Sequence, residues 1–224
     1  MLFLAGGVAC SNDASFENDQ RAKIAKKNNT SDDSQAANIA NPFDNRGLAY
    51  LQLLDSYEAL NDKPLGNAEI IDIITLLATN MGIVDHYYDP AISLNITTIK
   101  LLSSTNLSGA IAGLPVSSVA QVRLQTLLGQ LKVLKQQDAP YGDVYTTLLT
   151  MEQGIQQSVL PSHDTEVLLT TLAIVRYSVY NKSRRKRKDR DWELSVGNVM
   201  ATAYGAAVST PNAVISSVAS EYIH

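Results

Sequence analysis

Cysteine occurs once in the chain, at Cys10, so no internal disulfide can staple the fold. Three histidines and no Cys-x-x-Cys pair leave no ligand set spaced for a structural metal. Apart from ten tyrosines, aromatic residues are scarce: three Phe and one Trp. Few rings are therefore available to stack nucleic-acid bases. The chain also lacks G-x-S-x-G, a P-loop, G-x-G-x-x-G and H-E-x-x-H, so no motif of spacing names a reaction. Neither a catalytic residue, a metal nor a cofactor is assigned.

What is abundant is aliphatic. Hydrophobic residues make up 45 % and charged residues 18 % of 224 residues, enough for a packed interior. With so few rings, that interior is built from Leu, Ile, Val and Ala, which suits helix packing. The formal charge of −4 is unevenly placed. Seven basic residues crowd into 182–190, namely Lys182, Arg184, Arg185, Lys186, Arg187, Lys188 and Arg190, with one acid, Asp189. The rest of the chain carries 11 basic against 21 acidic residues.

Helical periodicity dominates from Asn41 onward. "NPFDNRGLAYLQLLDSYEAL" opens on an Asn-Pro turn and repeats apolar residues at Tyr50, Leu53, Leu54, Tyr57 and Leu60. "NAEIIDIITLLATNM" follows a breaker and predicts a second helix, with Asn67 as a cap. The stretch 83–115 is less regular. "AISLNITTIK" alternates like a strand but has no strand to pair with, so it reads as helical or irregular. In "SSVAQVRLQTLLGQLKVLKQQ", Ala120, Leu124, Leu127, Leu131 and Leu134 step 4-3-4-3, a bundle seam capped by Ser117 or Ser118. Helices are also expected over "DVYTTLLTMEQGIQQSVL", over "TEVLLTTLAIVRYSVY" and from Trp192 to the C-terminus with a break at Pro211. The second of these has only Glu166 and Arg176 as charges, which marks it for burial. The fold class is all-α, an irregular bundle of about six or seven helices forming one domain over 42–224.

Residues 2–9 are apolar and end in small side chains before Cys10. Residues 11–41 are rich in Asn, Asp, Ser, Lys and Gln, and cannot bury enough surface to offset their ordering entropy. This order of apolar run, lone Cys and polar tether resembles a bacterial lipoprotein signal, with Gly7, Val8 and Ala9 in the lipobox and Cys10 lipidated. No basic n-region precedes Leu2, which leaves open whether Met1 is the true start. Residues 1–10 are read as the signal remnant and 11–41 as a flexible tether. A Cys carrying several acyl chains holds a protein on a membrane, because each buried CH2 contributes about 0.8 kcal/mol.

The basic strip suits an anionic surface, either lipid or lipopolysaccharide phosphate. Nucleic acid is not an expected partner, because the rest of the domain is acidic. Residues 194–220 contain no charge and many small side chains, so they predict either a close-packed internal helix pair or a membrane-active hairpin. Asp85, His86 and Asp89 lie close in "VDHYYDP", and His163 adjoins Asp164; neither spacing identifies a metal site or a catalytic dyad.

Taken together, Cys10 with its tether, "NPFDNRGLAYLQLLDSY", and "EVLLTTLAIVRYSVY" followed by Trp192 and a Gly/Ala-rich tail resemble a group of predicted Gram-negative envelope lipoproteins of unassigned function. The resemblance implies a cell-envelope location, a lipid anchor and a non-catalytic role with an unidentified protein partner. It carries over no catalytic residue. A toxin-like action through 182–190 and 194–220 is the alternative.

Overall fold

The structure, a computed structural model, describes residues 35–64, 66–91, 95–184 and 196–223. The chain divides at Gln35/Ala36 into two units, and every described residue except Gln35 belongs to the second. Among the described residues there are nine helices and no strand. They are α1 (Asp44–Glu58), α2 (Asn67–Asn80), α3 (Ile96–Thr105), α4 (Leu107–Ala112), α5 (Ser118–Gln136), α6 (Tyr141–Gln156), α7 (Ser162–Arg184), α8 (Val196–Ala206) and α9 (Thr210–Tyr222). The all-α class stands, with more helices than the expected six or seven. The surplus comes from 83–115, where α3 and α4 form in succession. Asn106 ends the first and caps the second, its side chain accepting from the Gly109 N–H. The strand-like alternation of the sequence falls in part on 92–94, which lie outside the described residues; from Ile96 onward the β-branched stretch is helical.

Other helix ends follow their sequence signals. Ser117, not Ser118, caps α5 by accepting from Ala120 N–H at 3.3 Å. Ser209 caps α9 ahead of Pro211, whose missing N–H costs nothing in the first turn. Asn67 does not cap α2; it is the first helical residue, and Gly66 occupies the cap position without a side-chain bond.

Three helices form the centre. In α7, every residue from 167 to 181 is buried. The α8–α9 pair is buried from Gly197 through Ala203 and again from Pro211 through Ser220. Around them, α1 packs on α7 and α9, α2 on α9, α3 on α8, and α6 on α7. The α5 helix sits at the margin, touching α4, α6 and α7. Its expected seam is the face it buries: Ala120, Leu124, Leu127 and Leu131, joined by Leu128.

Helices crowded on all sides must bury polar side chains, and these turn inward on the backbone. The Thr202 and Ser217 hydroxyls meet across α8 and α9 at 2.8 Å, one donating to the other, while the acceptor of the pair has its own proton for a carbonyl one turn back. Small residues set the separation. A Cβ on Gly205 would run into the Asn212 carbonyl, and one on Gly47 would strike the Tyr177 ring where α1 crosses α7. The Lys100 ammonium closes the far end of α9, donating to Ser220 O at 2.8 Å and Ile223 O at 2.6 Å. Positive charge is favoured at a helix C-terminus.

Gly205→Ala should therefore destabilise the domain by about 1–3 kcal/mol, because the obstruction is backbone that cannot swing away. Gly154→Ala on α6, where an added Cβ meets nothing within 4 Å, should stabilise by up to about 1 kcal/mol. Urea unfolding of both variants checks the pair; equal effects would show that α8 and α9 are not in tight register.

Candidate functional site

The chemistry-bearing side chains gather at two places, and sequence reasoning singled out only part of each. The first is a polar lock over Arg176. This guanidinium is fully buried in α7, where no water can solvate it. It pairs with Asp44 at the start of α1 at 2.5 Å and with the equally buried Glu152 of α6 at 3.2 Å. Burial alone would pull the Arg176 guanidinium down; Glu152 and Asp44 more than offset this and hold it above its ordinary value. Its Nη1 is buried without a hydrogen-bond partner among the described residues.

Glu152 is shared with the chain ahead of α1. Asn38 Nδ2 donates to Glu152 Oε2 at 2.5 Å, and Asn41 Nδ2 donates to Oε1 at 2.8 Å and to Leu169 O at 3.0 Å. Tyr145 donates to Ala37 O and Gln156 to Ala40 O. Residues 36–41, read from composition as the last part of the tether, thus belong to the helical unit, with Ala36 fully buried. The reason is physical: asparagine amides that look solvated in sequence are the donors a buried carboxylate requires. The available signal was the lone Arg in the apolar run of α7, because a buried cation demands a buried acid elsewhere. Which acid answers it is not encoded locally.

The second place is the end of α7, where the basic strip begins. Lys182 pairs with Glu221 of α9 at 3.1 Å. Arg184 lies 3.8 Å from Asp55, bonds Asn181 at 3.1 Å and stands over the Tyr180 ring. Arg185, Lys186, Arg187, Lys188 and Arg190 lie outside the described residues, as do Cys10, the signal remnant, the tether up to residue 34 and Trp192. Glu221 also accepts from Tyr50 at 3.2 Å and Ser178 at 3.3 Å. Burial first, then Glu221, pushes the Tyr50 phenol well above its ordinary range. It therefore stays a protonated donor. Beside these groups lies a cavity of about 10 Å³, lined in part by Asn198, Thr202 and Ser217, with room for about one water.

The remaining candidates are brought into no common site. Asp85 and Asp89 each accept from the backbone N–H two residues on, of Tyr87 and Ala91, as turn-forming carboxylates do. His86 stacks on Tyr87 with centroids 3.9 Å apart. His163 is exposed in the first turn of α7, while its neighbour Asp164 is buried and accepts from Ser117 N–H. Among the described residues no group of three or more His, Cys, Asp or Glu is disposed to hold a metal ion, and no helix is long and apolar enough to cross a membrane.

Removing one partner of a buried pair leaves an uncompensated charge, so Glu152→Ala should destabilise by about 3–5 kcal/mol. Adding Arg176→Met should recover part of that loss, with a coupling of about 1–3 kcal/mol in the double-mutant cycle. Denaturant unfolding of the four proteins measures it, and strictly additive effects would sink the shared lock.

No protein-family model matches the chain, and comparison with curated proteins and with solved structures finds no match either.

Proposed function

We propose that this is a lipid-anchored envelope protein, tethered through Cys10, whose helical domain works by non-catalytic contact with other molecules. The observation that carries the reading is the junction at Cys10: an apolar run that closes on Gly7, Val8 and Ala9, the only thiol of the chain, and a polar stretch behind it. A solitary Cys at that place is the acceptor an acyl group needs. The domain behind the tether supports the same reading. Its buried Arg176 and Glu152 are spent on one another, on Asp44 and on holding residues 36–41.

The membrane-active alternative would draw on the charge-free tail. That tail is two of the three central helices, and extracting it would expose Val199, Met200, Val214, Ile215 and Val218, all at most 1 % exposed. The cost of that exposure favours the tethered reading. Within the strip, charge divides by position. Lys182 pairs with Glu221 at 3.1 Å, and Arg184 lies 3.8 Å from the exposed Asp55. Binding to anionic lipid or lipopolysaccharide is therefore a role for Arg185, Lys186, Arg187, Lys188 and Arg190.

Cells fed a palmitate analogue should label the wild-type chain and not Cys10→Ser; equal labelling would refute the anchor. Replacing the five cations of 185–190 with Gln should weaken retention on phosphatidylglycerol vesicles at least about tenfold, since each basic residue near such a surface contributes about 1 kcal/mol. Lys182→Met with Arg184→Met should instead lower the urea midpoint, by about 1 kcal/mol of stability, and leave retention nearly unchanged. The reverse pattern would show that the paired residues, not the others, meet the lipid.

A further inference from the structure

The marginal helix α5 has two seams. Its inner one is buried. Its outer one runs through Val119, Val122, Thr126, Gly129 and Val133, a 3-4-3-4 spacing that keeps these residues on one face along the helix. The three valines are 54 %, 60 % and 48 % exposed, and a Cβ on Gly129 would meet nothing within 4 Å. No residue of the described structure covers this stripe. Arg123 and Lys132 flank it, both exposed, at the positions beside a coiled-coil seam. The helix contains no acid, and neither does any residue from 90 to 137, in a chain that is acidic elsewhere.

We propose that the outer face of α5 docks an amphipathic helix of another protein, one whose apolar seam is flanked by Asp or Glu. Charge selects the partner. A second copy would set basic flanks against basic flanks, and like charges across a seam repel. A lipid surface suits the stripe poorly. It has no Leu, Phe or Trp, and a valine contributes only about 0.3–0.6 kcal/mol on entering a bilayer. A facing helix, by contrast, gains from narrow β-branched knobs and from the open space at Gly129, where its own side chains can seat. Acidic flanks would then meet Arg123 and Lys132 on either side and fix orientation.

This inference rests on the interaction half of the reading above and not on the lipid anchor. Palmitate labelling can fail while the docking holds, and docking can fail while labelling holds.

The test uses the full chain carrying Cys10→Ser and a fluorescent helical peptide of roughly three heptads, with Ile and Leu in its seam and Glu beside it. Anisotropy should show saturable binding, weakened about tenfold or more by Arg123→Glu with Lys132→Glu, and likewise by Val122→Asp. Circular dichroism should be unchanged, since all three sites are exposed. A peptide with Lys in place of Glu should bind the charge-reversed chain and not the wild-type one. Absence of binding by the Glu peptide, or equal binding by both peptides, would overturn the proposal. So would a dimer in sedimentation that Val122→Asp dissolves, which would make the face a self-interface. Retention on phosphatidylglycerol vesicles that Val122→Asp abolishes would likewise overturn it in favour of lipid.

Discussion

A guanidinium with no access to water is the constraint around which this domain is arranged. Arg176 lies in the middle of the longest helix, and its charge can be tolerated there only if anions come to it. Glu152 arrives from α6 and Asp44 from the first turn of α1. Three elements far apart in sequence are thereby held in one register. The requirement then propagates outward. A buried carboxylate with two oxygens needs donors beyond a single guanidinium, and Asn38 and Asn41 supply them. Asp44 likewise accepts from Asn38 N–H at 3.1 Å. One inward charge thus determines where the chain entering the domain is fastened. A pair of this kind adds little net stability over an apolar core of the same shape. Its effect is to exclude other arrangements, because any slip of α6 along α7 strands a charge.

The opposite side of α7 obeys a different rule. There α8 and α9 approach so closely that Gly205 has no room for a Cβ against the Asn212 carbonyl, and the hydroxyls of Thr202 and Ser217 meet across the pair. Such a hairpin can look like a membrane insert in sequence, because it is free of charge and rich in small residues. The distinction lies in its polar content. Asn198, Thr202, Asn212, Ser217 and Ser220 are all buried, and each has an acceptor or donor within the protein. Asn212 reaches across to Asp89, exchanging two bonds with its backbone at 2.9 and 2.6 Å. Those bonds are specific to this packing, and lipid offers nothing in their place.

Periodicity made the helices legible, because it is a local property: the α5 seam and the apolar face of α1 are in the spacing of their own residues. The partners of charges are not local. Nothing near Arg176 names Glu152, twenty-four residues earlier, and nothing in the polar run before Pro42 separates amides that will be buried from those that will be solvated. The same limit applies to 83–115. The β-branched Ile96, Thr97, Thr98 and Ile99 carry a true local strand preference, overridden where α3 packs against the helices α4, α8 and α9. Lys182 and Arg184 looked like their five neighbours in sequence, yet each has an acid near it, Glu221 and Asp55, that no local pattern announces.

Charge is placed differently inside the fold and on its surface. Inside, the Arg176 charge is answered by Glu152 and Asp44; Arg123 and Lys132 stay exposed. On the surface, some cations stand beside acids, as Arg46 does with Glu166, and others stand in a stretch without them. The acid-free stretch 90–137 spans α3, α4 and α5, and one of its cations, Lys100, is consumed in closing α9. Arg123 and Lys132 lie on the solvent side of α5, a helix that the core holds along one seam. An apolar stripe between unopposed positive charges lowers its free energy by meeting an apolar stripe between negative ones, and a helix at the edge of a bundle can accept such a neighbour without disturbing the packing behind it.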